Sequence, residues 1–399
     1  MFILAAIQFT HILDFMIMMP LGESLMRIFE ITPLKYSFLT AIYSIAASIV
    51  GFLAGFVMDR IPRRSVLLWL YAGFAISTIA CAMAETYLWL LCARTMAGIC
   101  GGVASSVVGA MVADVVPPHR RGRAMAVVAT AFPLAQVMGL PAGLGLASKF
   151  GWHAPFYLLG FVSLIVLVVA VRALPSVPLV RATMSPLNQM KGILTHPIHI
   201  RGFILSGVLL FAGALVAPFM APSMQKNVGF SEMQVTWMYT CGGIATFFST
   251  NLFGRLSDRF DKLYVLAGVT TCTVVTVLII TRLGPSPLWI SLVLTSLFFV
   301  TMSGRFAPAM SMVANAVDAQ YRGGFMSVNA ALQQACGGMA NIVAGLMITE
   351  DIATGRLVGY QNVGLLAAGF FVMTVFLAAW LRAGAPHAAR NSSPMPSGH

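Results

Sequence analysis

The sequence predicts an all-α membrane protein in which twelve transmembrane helices form two pseudo-symmetric six-helix bundles. Three observations support this fold class: the composition, the number of long apolar stretches and an internal repeat. Among the 399 residues, 59% are hydrophobic and 9% are charged, whereas roughly a quarter of the residues in a soluble domain are charged. A chain of this composition belongs in lipid rather than in water.

Apolar stretches account for most of the chain, and a helix that crosses a bilayer needs roughly 20 mainly apolar residues. We expect an N-terminal bundle at 1–174, a cytoplasmic linker at 175–199, a C-terminal bundle at 200–383 and a disordered cytoplasmic tail at 384–399. Because the first stretch contains polar residues, it predicts a permanent helix rather than a cleaved signal. The twelve predicted spans are 2–22, 36–58, 65–84, 87–115, 124–147, 152–172, 201–222, 233–254, 263–282, 287–316, 325–348 and 359–382.

A motif at the end of the second span returns at the end of the eighth. Gly55-Phe-Val-Met-Asp59 is followed 199 residues later by Gly254-Arg-Leu-Ser-Asp258. An Arg-Gly dipeptide at position 121, before the fifth span, returns at position 322, before the eleventh span. Two halves of about 200 residues with such internal symmetry are typical of secondary transporters.

The repeated motif predicts a gate at one membrane surface. A glycine one turn before the acid lets a neighbouring helix approach closely, and the acid can be stabilised by the N-terminus of an adjacent helix and by nearby arginines. When this side is closed, we expect Asp59 to lie against the start of the eleventh span and Asp258 against the start of the fifth, near Arg123. A basic loop that only stops translocation is the alternative. The predicted gating residues are Gly55, Asp59, Arg60, Arg63, Arg64, Asp114, Arg121, Gly254, Asp258, Arg259, Asp318 and Arg322.

The distribution of basic residues predicts the orientation in the membrane. Loops after the even-numbered spans, together with the C-terminal tail, hold sixteen Lys and Arg residues. The positive-inside rule therefore places both termini in the cytoplasm, and we expect a bacterial inner membrane with anionic lipids as partners. No pattern indicates nucleic-acid binding, a metal site, a cofactor or an enzyme, and the six cysteines are expected to be packing residues. The opposite loops hold only Arg27, Lys35, Lys149, Lys226, Arg282 and Arg356.

Four motifs give the chain a resemblance to the major facilitator superfamily. The fifth-span motif resembles that of the drug/proton antiporter branch, especially the sugar- or arabinose-efflux-like permeases. Pro62 stands where the first loop of the family usually has glycine, and Leu140, before Pro141, stands where the antiporter motif usually has glycine. The resemblance implies a monomer in which two bundles alternate around a central cavity that binds a small molecule, with spans 1, 4, 7 and 10 lining the path. The motifs are Gly55-x-x-x-Asp59-Arg60-x-x-Arg63-Arg64, Arg94-x-x-x-Gly98-x-x-Gly101-Gly102, Gly139-Leu-Pro141-Ala-Gly143 and Gly151-Trp152-x-x-Pro155-Phe156.

Ionisable residues within the spans indicate a proton-coupling site, because each charged group costs roughly 2.5–3.5 kcal/mol to insert. Asp14 in the first span and Arg94 in the fourth are expected at matching depth. We predict that Asp14 carries the proton and pairs with Arg94 when it is ionised, while His11, on the same helix face, relays the proton or tunes the pKa of Asp14. A fixed structural ion pair is the alternative for Asp14 and Arg94, and a hydrogen-bonded core histidine is the alternative for His11.

Other polar, aromatic and thioether side chains are candidates for the substrate cavity. Arg305, in the tenth span, has no acid at its depth in the second half. It could therefore share Asp14 across the cavity, bind an anionic substrate or cap carbonyls near Pro308. For the remaining candidates, helix packing is the alternative role. The predicted cavity residues are Arg305, Gln136, Asn329, Gln333, Phe15 and Met18.

Three functions are compatible with these features. Proton-coupled export of a small amphipathic drug-like molecule or metabolite is favoured by the fifth-span motif of Gly139, Pro141 and Gly143. Import of a small organic solute, by symport or facilitation, is the alternative. A membrane receptor or intramembrane enzyme is a remote alternative, because no catalytic motif or soluble signalling domain is present.

Overall fold

The computed structural model describes residues 1–57, 61–117, 120–175, 186–318 and 321–385, and almost all of them are helical. The first half contains α1 (Phe2–Ile17), α2 (Gly22–Ile28), α3 (Pro33–Val57), α4 (Arg63–Ala82), α5 (Tyr87–Val115), α6 (Arg121–Ala129), α7 (Ala131–Leu134), a π-helical turn (Ala135–Gly139), α8 (Leu140–Phe150) and α9 (Ala154–Ala173). The second half contains α10 (Pro186–Thr195), α11 (Pro197–Ser223), a second π-helical turn (Met224–Val228), α12 (Glu232–Arg259), α13 (Lys262–Ile280), α14 (Leu288–Gly304), α15 (Phe306–Ala316), α16 (Arg322–Met347), strands β1 (Thr349–Glu350) and β2 (Leu357–Val358), and α17 (Tyr360–Gly384).

The helix order and the helix contacts repeat between the halves. Helices α3 and α12 begin 199 residues apart, as do α4 and α13, while α6 and α16 begin 201 residues apart. In the first half α3 and α4 each pack on α5, and α4 packs on α9; α12, α13, α14 and α17 repeat these contacts in the second half. The halves meet where α3 packs along α16 and where α8 and its preceding π turn pack on α12.

Length and composition identify the helices that can cross a membrane. In the described part of the chain nine helices are long and apolar enough, or ten when α1 and α2 are counted as one bent span. Helices α12, with 28 residues, and α16, with 26 residues, are long enough but less apolar than this criterion requires. The all-α membrane fold is confirmed, and the count of twelve spans stays a prediction.

Several spans are interrupted where the sequence analysis treats them as continuous. The first span bends by 58° between α1 and α2, at a segment that contains Pro20. Helix α11 contains Pro218 and Pro222 and continues into a π-helical turn. A proline removes one backbone N–H and its ring clashes with the preceding turn, which accounts for these irregularities.

The hydrophobic core joins the halves at one end and divides at the other. One end, here called the joined end, carries residues 18–32, 151–153 and 229–231. A single buried cluster at this end includes Ile17 and Leu25 from the first half and Phe219 and Ala344 from the second. At the opposite end, here called the basic end, each half has its own buried cluster. Phe52 of α3 is the first-half side chain that packs against the second-half cluster. The described residues therefore form a molecule that is closed at the joined end.

Two connections differ from the sequence analysis. The predicted linker at 175–199 contains α10, in which Ile193 is 1% exposed and packs in the second-half cluster. Helix α11 already begins at Pro197, so the linker is partly helical. A short antiparallel hairpin pairs Thr349 with Val358 and Glu350 with Leu357. Residues 386–399 of the predicted tail lie outside the described residues.

Candidate coupling site and gating residues

An ion pair between α1 and α5 is buried inside the first half. Arg94 Nη1 donates to Asp14 Oδ2 at 2.7 Å and to the Asp14 carbonyl oxygen at 3.3 Å. Thr78 Oγ1 of α4 donates to Asp14 Oδ1 at 3.4 Å. The side chains of Arg94 and Asp14 are 1% and 0% exposed. Three helices thus converge on one carboxylate that water does not reach in this conformation.

Glycines of α5 bring Arg94 into this position. A Cβ atom on Gly98 would lie 2.3 Å from the carbonyl oxygen of Tyr43, and one on Gly102 would lie 2.3 Å from the Cβ of Ala47. Because only glycine permits such an approach, α5 lies directly against α3. The Tyr43 ring then lies beneath the guanidinium, with Arg94 Cζ at 4.5 Å from the ring centroid, which stabilises the buried cation.

His11 lies one turn away, in an aromatic environment. Its ring centroid is 5.9 Å from that of Tyr43 and 6.1 Å from that of Phe74. A Cβ on Gly101 would lie 2.6 Å from His11 Cδ2, so α5 closes over the ring. Neither ring nitrogen has a hydrogen-bond partner within the described structure. The alternative for His11, a hydrogen-bonded core histidine, is therefore not found among the described residues, and a relay through His11 requires another conformation.

The second half buries a different arginine. Arg305 lies between α14 and α15 and is 0% exposed. Its Cζ is 4.1 Å from the centroid of the Phe371 ring, and its Nη2 is 2.8 Å from Met302 Sδ. Nε and Nη1 have no hydrogen-bond partner among the described residues. The expectation that Arg305 shares Asp14 or caps a carbonyl is wrong for this conformation, because Asp14 is held by Arg94 and Arg305 contacts a ring and a thioether.

The other candidate cavity residues occupy several environments. Gln136, in the first π-helical turn, and Asn329, in α16, are 8% and 2% exposed, and each has a buried side-chain oxygen without a partner in the part described. Gln333 Nε2 is 3.4 Å from Met310 Sδ. Phe15 is partly buried, with its ring centroid 5.5 Å from that of Tyr43.

Met18 is the exception among these candidates. It is 1% exposed in the shared core at the joined end, so it does not line a cavity here. The reason is that the first span breaks at this residue and directs the side chain into packing between the halves. A central cavity lined by the remaining candidates stays a prediction.

The fifth-span motif packs the π-helical turn and α8 against α1. A Cβ on Gly139 would lie 2.7 Å from Leu13 Cδ2, and one on Gly143 would lie 2.6 Å from Ile17 Cδ1. Pro141 lies at the beginning of α8, where a missing backbone N–H is tolerated. Residues on either side of Asp14 therefore contact this motif, so a movement of α1 would be transmitted to the fifth span.

At the basic end the structure joins two of the predicted gating residues. Arg63 Nη1 donates to Asp114 Oδ2 at 2.6 Å and to the Ala110 carbonyl oxygen at 3.2 Å. This ion pair connects α4 to α5 within the first half. Arg64 donates to the carbonyl oxygen of Val171 in α9.

The remaining gating residues are exposed or lie outside the described structure. Arg322 Nη2 is 3.4 Å from the Val317 carbonyl oxygen, while Asp258, Arg259 and Asp318 are exposed. The expectation of a close helix approach at Gly254 is wrong for this conformation, because a Cβ there would meet nothing within 4 Å. The expected contacts of Asp59 and Arg60 lie outside the described residues, as do those of Gly55 and of the Arg121 and Arg123 side chains.

Sequence reasoning missed Thr78 as a partner of Asp14. A threonine in an apolar helix is usually bonded to the backbone of its own helix, and nothing in the sequence distinguishes Thr78 from Thr40 or Thr276, which do bond to their own backbone. Sequence reasoning also missed Tyr43 as the ring beneath Arg94. The sequence could have placed Tyr43 beneath Arg94 only if the contact between α3 and α5 were already known.

Comparison with known proteins identifies the family. The family model described as Major Facilitator Superfamily matches residues 4–214 and 202–399. A protein named "Probable sugar efflux transporter" from Mannheimia succiniciproducens is 26% identical over 232 residues, 58% of this chain and 58% of that protein. An "Uncharacterized MFS-type transporter YceJ" from Bacillus subtilis (strain 168) is 28% identical over 164 residues, 41% of this chain and 42% of that protein. The matches thus span about half the length of these relatives.

A solved structure supports the same fold over the whole chain. The structure described as "Crystal structure of D-xylose-proton symporter" is similar with a TM-score of 0.79 and 18% identity, over 97% of each chain. The chain belongs to the Major Facilitator Superfamily. Members of this family are membrane transporters rather than enzymes, and the long apolar helices agree with an integral membrane protein.

Proposed function

We propose that this protein is a proton-coupled antiporter that exports a small amphipathic molecule by alternating access, with Asp14 as the proton carrier. The observation that supports this proposal most strongly is the buried pair of Asp14 and Arg94. A coupled transporter must expose one titratable group to each side in turn, and an arginine cannot fill this role because it does not deprotonate. Asp14 is the carboxylate buried within the spans of the described structure.

The ion pair would act by holding α1 to α5 while the carboxylate is ionised. Protonation of Asp14, or a cationic group on the substrate, weakens this attraction and frees α1 to move. Since Leu13 and Ile17 pack against Gly139 and Gly143, the movement reaches the fifth span. A purely structural pair is the less favourable explanation, because buried ion pairs seldom stabilise a fold more than well-packed apolar residues do.

The proposed direction and location rest on the sequence. The fifth-span motif resembles that of proton antiporters, and one relative is named a sugar efflux transporter. The excess of Lys and Arg at the basic end supports cytoplasmic termini in a bacterial inner membrane, with anionic lipid headgroups beside those residues. We take the functional unit to be a monomer, with protons and one small-molecule substrate as its ligands.

Proteoliposomes with an imposed pH gradient test this function. A thermal-shift screen of amphipathic compounds first supplies a ligand, and its accumulation is then measured in vesicles that are acidic inside or acidic outside. An antiporter accumulates substrate in vesicles with an acidic lumen, because protons leave as substrate enters. Accumulation with an acidic exterior would contradict antiport and indicate symport. Transport that ignores the gradient would indicate facilitation.

Import of a small organic anion is a second candidate, and Arg305 is the observation that favours it. A fully buried guanidinium with two unpartnered nitrogens is costly, and an anion would neutralise it. In that case the ligand from the screen is an anion, and the variant Arg305→Met loses binding. A ligand that binds Arg305→Met as tightly as it binds the wild-type protein would remove this candidate.

A further inference from the structure

The prolines of α11 leave two carbonyl groups without their helical donors. Pro218 and Pro222 have no backbone N–H, so the carbonyl oxygens four residues earlier, at Ala214 and Pro218, lose their usual partners. Both prolines are buried in this helix. An unsatisfied carbonyl in a membrane interior is costly, so side chains are expected to supply the missing donors.

Each carbonyl receives a donor from a different part of the molecule. With its amide oriented so that the nitrogen faces acceptors, Asn341 of α16 donates to the Ala214 oxygen at 2.9 Å. The Tyr36 hydroxyl of α3 donates to the Pro218 oxygen at 3.2 Å. Asn341 and α11 belong to the same half, whereas Tyr36 belongs to the other. The hydrogen bond of Tyr36 therefore crosses between the halves.

Tyr36 lies where three parts of the chain meet: the break after α1, the N-terminus of α2 and the proline-containing part of α11. It is 0% exposed, and its hydroxyl is also 3.2 Å from the carbonyl oxygens of Met18 and Met19, where the first span breaks. A Cβ on Gly22 would lie 2.6 Å from Tyr36 Cζ and 2.8 Å from Pro222 Cγ. Glycine is therefore required for α2 to fit between the ring and the proline.

We propose that Tyr36 is a latch between the halves that holds the joined end closed and is released when that end opens. The hydroxyl has one proton and three acceptors. When the joined end is closed, it can donate to the second half through Pro218; after separation, it still has the carbonyls of Met18 and Met19 in its own half. Opening thus leaves no unsatisfied donor, while the Pro218 oxygen becomes accessible to water.

The other polar contacts across this end are weaker candidates for such a role. Arg27 Nη2 and Glu232 Oε1 are 3.9 Å apart, and their side chains are 66% and 48% exposed. Ser24 Oγ is 3.5 Å from the same carboxylate oxygen. Exposed ion pairs contribute little because water screens them. While the joined end is closed, water does not reach the Pro218 carbonyl and cannot replace the Tyr36 hydroxyl as its donor, so Tyr36 should control closure more strongly.

The test compares Tyr36→Phe with a matched control, Tyr360→Phe. The Tyr360 hydroxyl also donates to a carbonyl of α11, that of Val216 at 3.0 Å, and Tyr360 is 1% exposed. Its helix, α17, lies in the same half as α11, so this bond does not cross between the halves. Both variants lose one buried hydroxyl, but only Tyr36→Phe removes a contact between the halves.

Opening is measured as the distance between spin labels at positions 28 and 233, in a protein whose native cysteines are replaced. Ile28 and Met233 are 50% and 53% exposed and lie on different halves at the joined end. We expect Tyr36→Phe to raise the ratio of open to closed molecules on the order of tenfold, because it leaves the Pro218 carbonyl unsatisfied only in the closed state. Tyr360→Phe should keep the wild-type ratio.

A second variant keeps the proposal testable if Tyr36→Phe does not fold. Gly22→Ala retains the hydroxyl but places a methyl group 2.6 Å from Tyr36 Cζ and 2.8 Å from Pro222 Cγ of the other half. It should push the Tyr36 ring and α11 apart and so also favour the open state. A wild-type distance distribution in Tyr36→Phe would overturn the latch. If Tyr36→Phe does not fold, a wild-type distribution in Gly22→Ala would overturn it instead. An equal shift in Tyr360→Phe would overturn it as well. The outcome does not depend on which molecule is carried or on Asp14.

Discussion

The two halves share a helix order, yet they bury their arginines in opposite ways. Arg94 has a carboxylate at 2.7 Å, supported by Thr78 and by the Tyr43 ring. Arg305 has the Phe371 ring and the sulfur of Met302, with no carboxylate partner in the described structure. Both guanidinium groups are fully buried. The duplicated backbone therefore carries two different electrostatic sites.

This difference separates the proposed tasks of the halves. A proton can bind to and leave a carboxylate but not an arginine, so the first half can couple transport to protons. The second half holds a fixed positive charge, which can only attract an anion or restrain the helices around it. A symmetric mechanism, with one proton site in each half, is not compatible with these residues.

The largest expected effect comes from removing each arginine in turn. Arg94→Met leaves the Asp14 carboxylate buried without a cation and should lower the free energy of unfolding by about 3–5 kcal/mol. Arg305→Met removes a cation that has no carboxylate partner and should leave this free energy unchanged or raise it. Denaturant titration in mild detergent measures both. Equal losses in the two variants would show that the halves do not differ in this way.

A smaller effect is expected from adding one methyl group at either of two glycines. Gly98→Ala places the methyl group against the Tyr43 backbone, which cannot rotate away, and should cost about 1–3 kcal/mol. Gly254→Ala meets nothing within 4 Å and should be neutral or slightly stabilising, because alanine favours helices. Melting temperatures of the two variants provide the measurement. A loss of stability in Gly254→Ala would mean that the basic end closes more tightly than in the structure.

Much of the fold was predictable because lipid restricts the possibilities. Each spanning segment must satisfy its own backbone, so apolar length located most of the long helices, although α12 and α16 are less apolar than the others. Counting residues from the same membrane face also predicted that Asp14 and Arg94 lie at one depth, and the structure pairs them. This reasoning works because an α-helix rises by about 1.5 Å per residue whatever its sequence.

The remaining features depend on contacts between distant residues. The spacing of His11 and Asp14 placed them on one face, but it could not show that His11 packs between Tyr43 and Phe74. The sequence shows Pro218 and Pro222 in the seventh span, but it does not show that the donor to the Pro218 carbonyl is Tyr36, 182 residues away. The contacts of Arg305 likewise depend on α17, which no local pattern connects to the tenth span.

Uphill transport by Asp14→Asn tests the central claim most directly. The variant is reconstituted in proteoliposomes that are acidic inside, and both accumulation against the substrate gradient and movement down it are measured. Glu350→Gln is the matched control, because it neutralises a carboxylate that pairs with Lys226 at the joined end, outside the spans.

The proposed mechanism predicts that Asp14→Asn still binds substrate and moves it down its gradient but no longer accumulates it. Glu350→Gln should accumulate substrate normally, and His11→Gln should accumulate it with a shifted pH optimum. Accumulation by Asp14→Asn at the wild-type rate would contradict the claim that Asp14 carries the coupled proton.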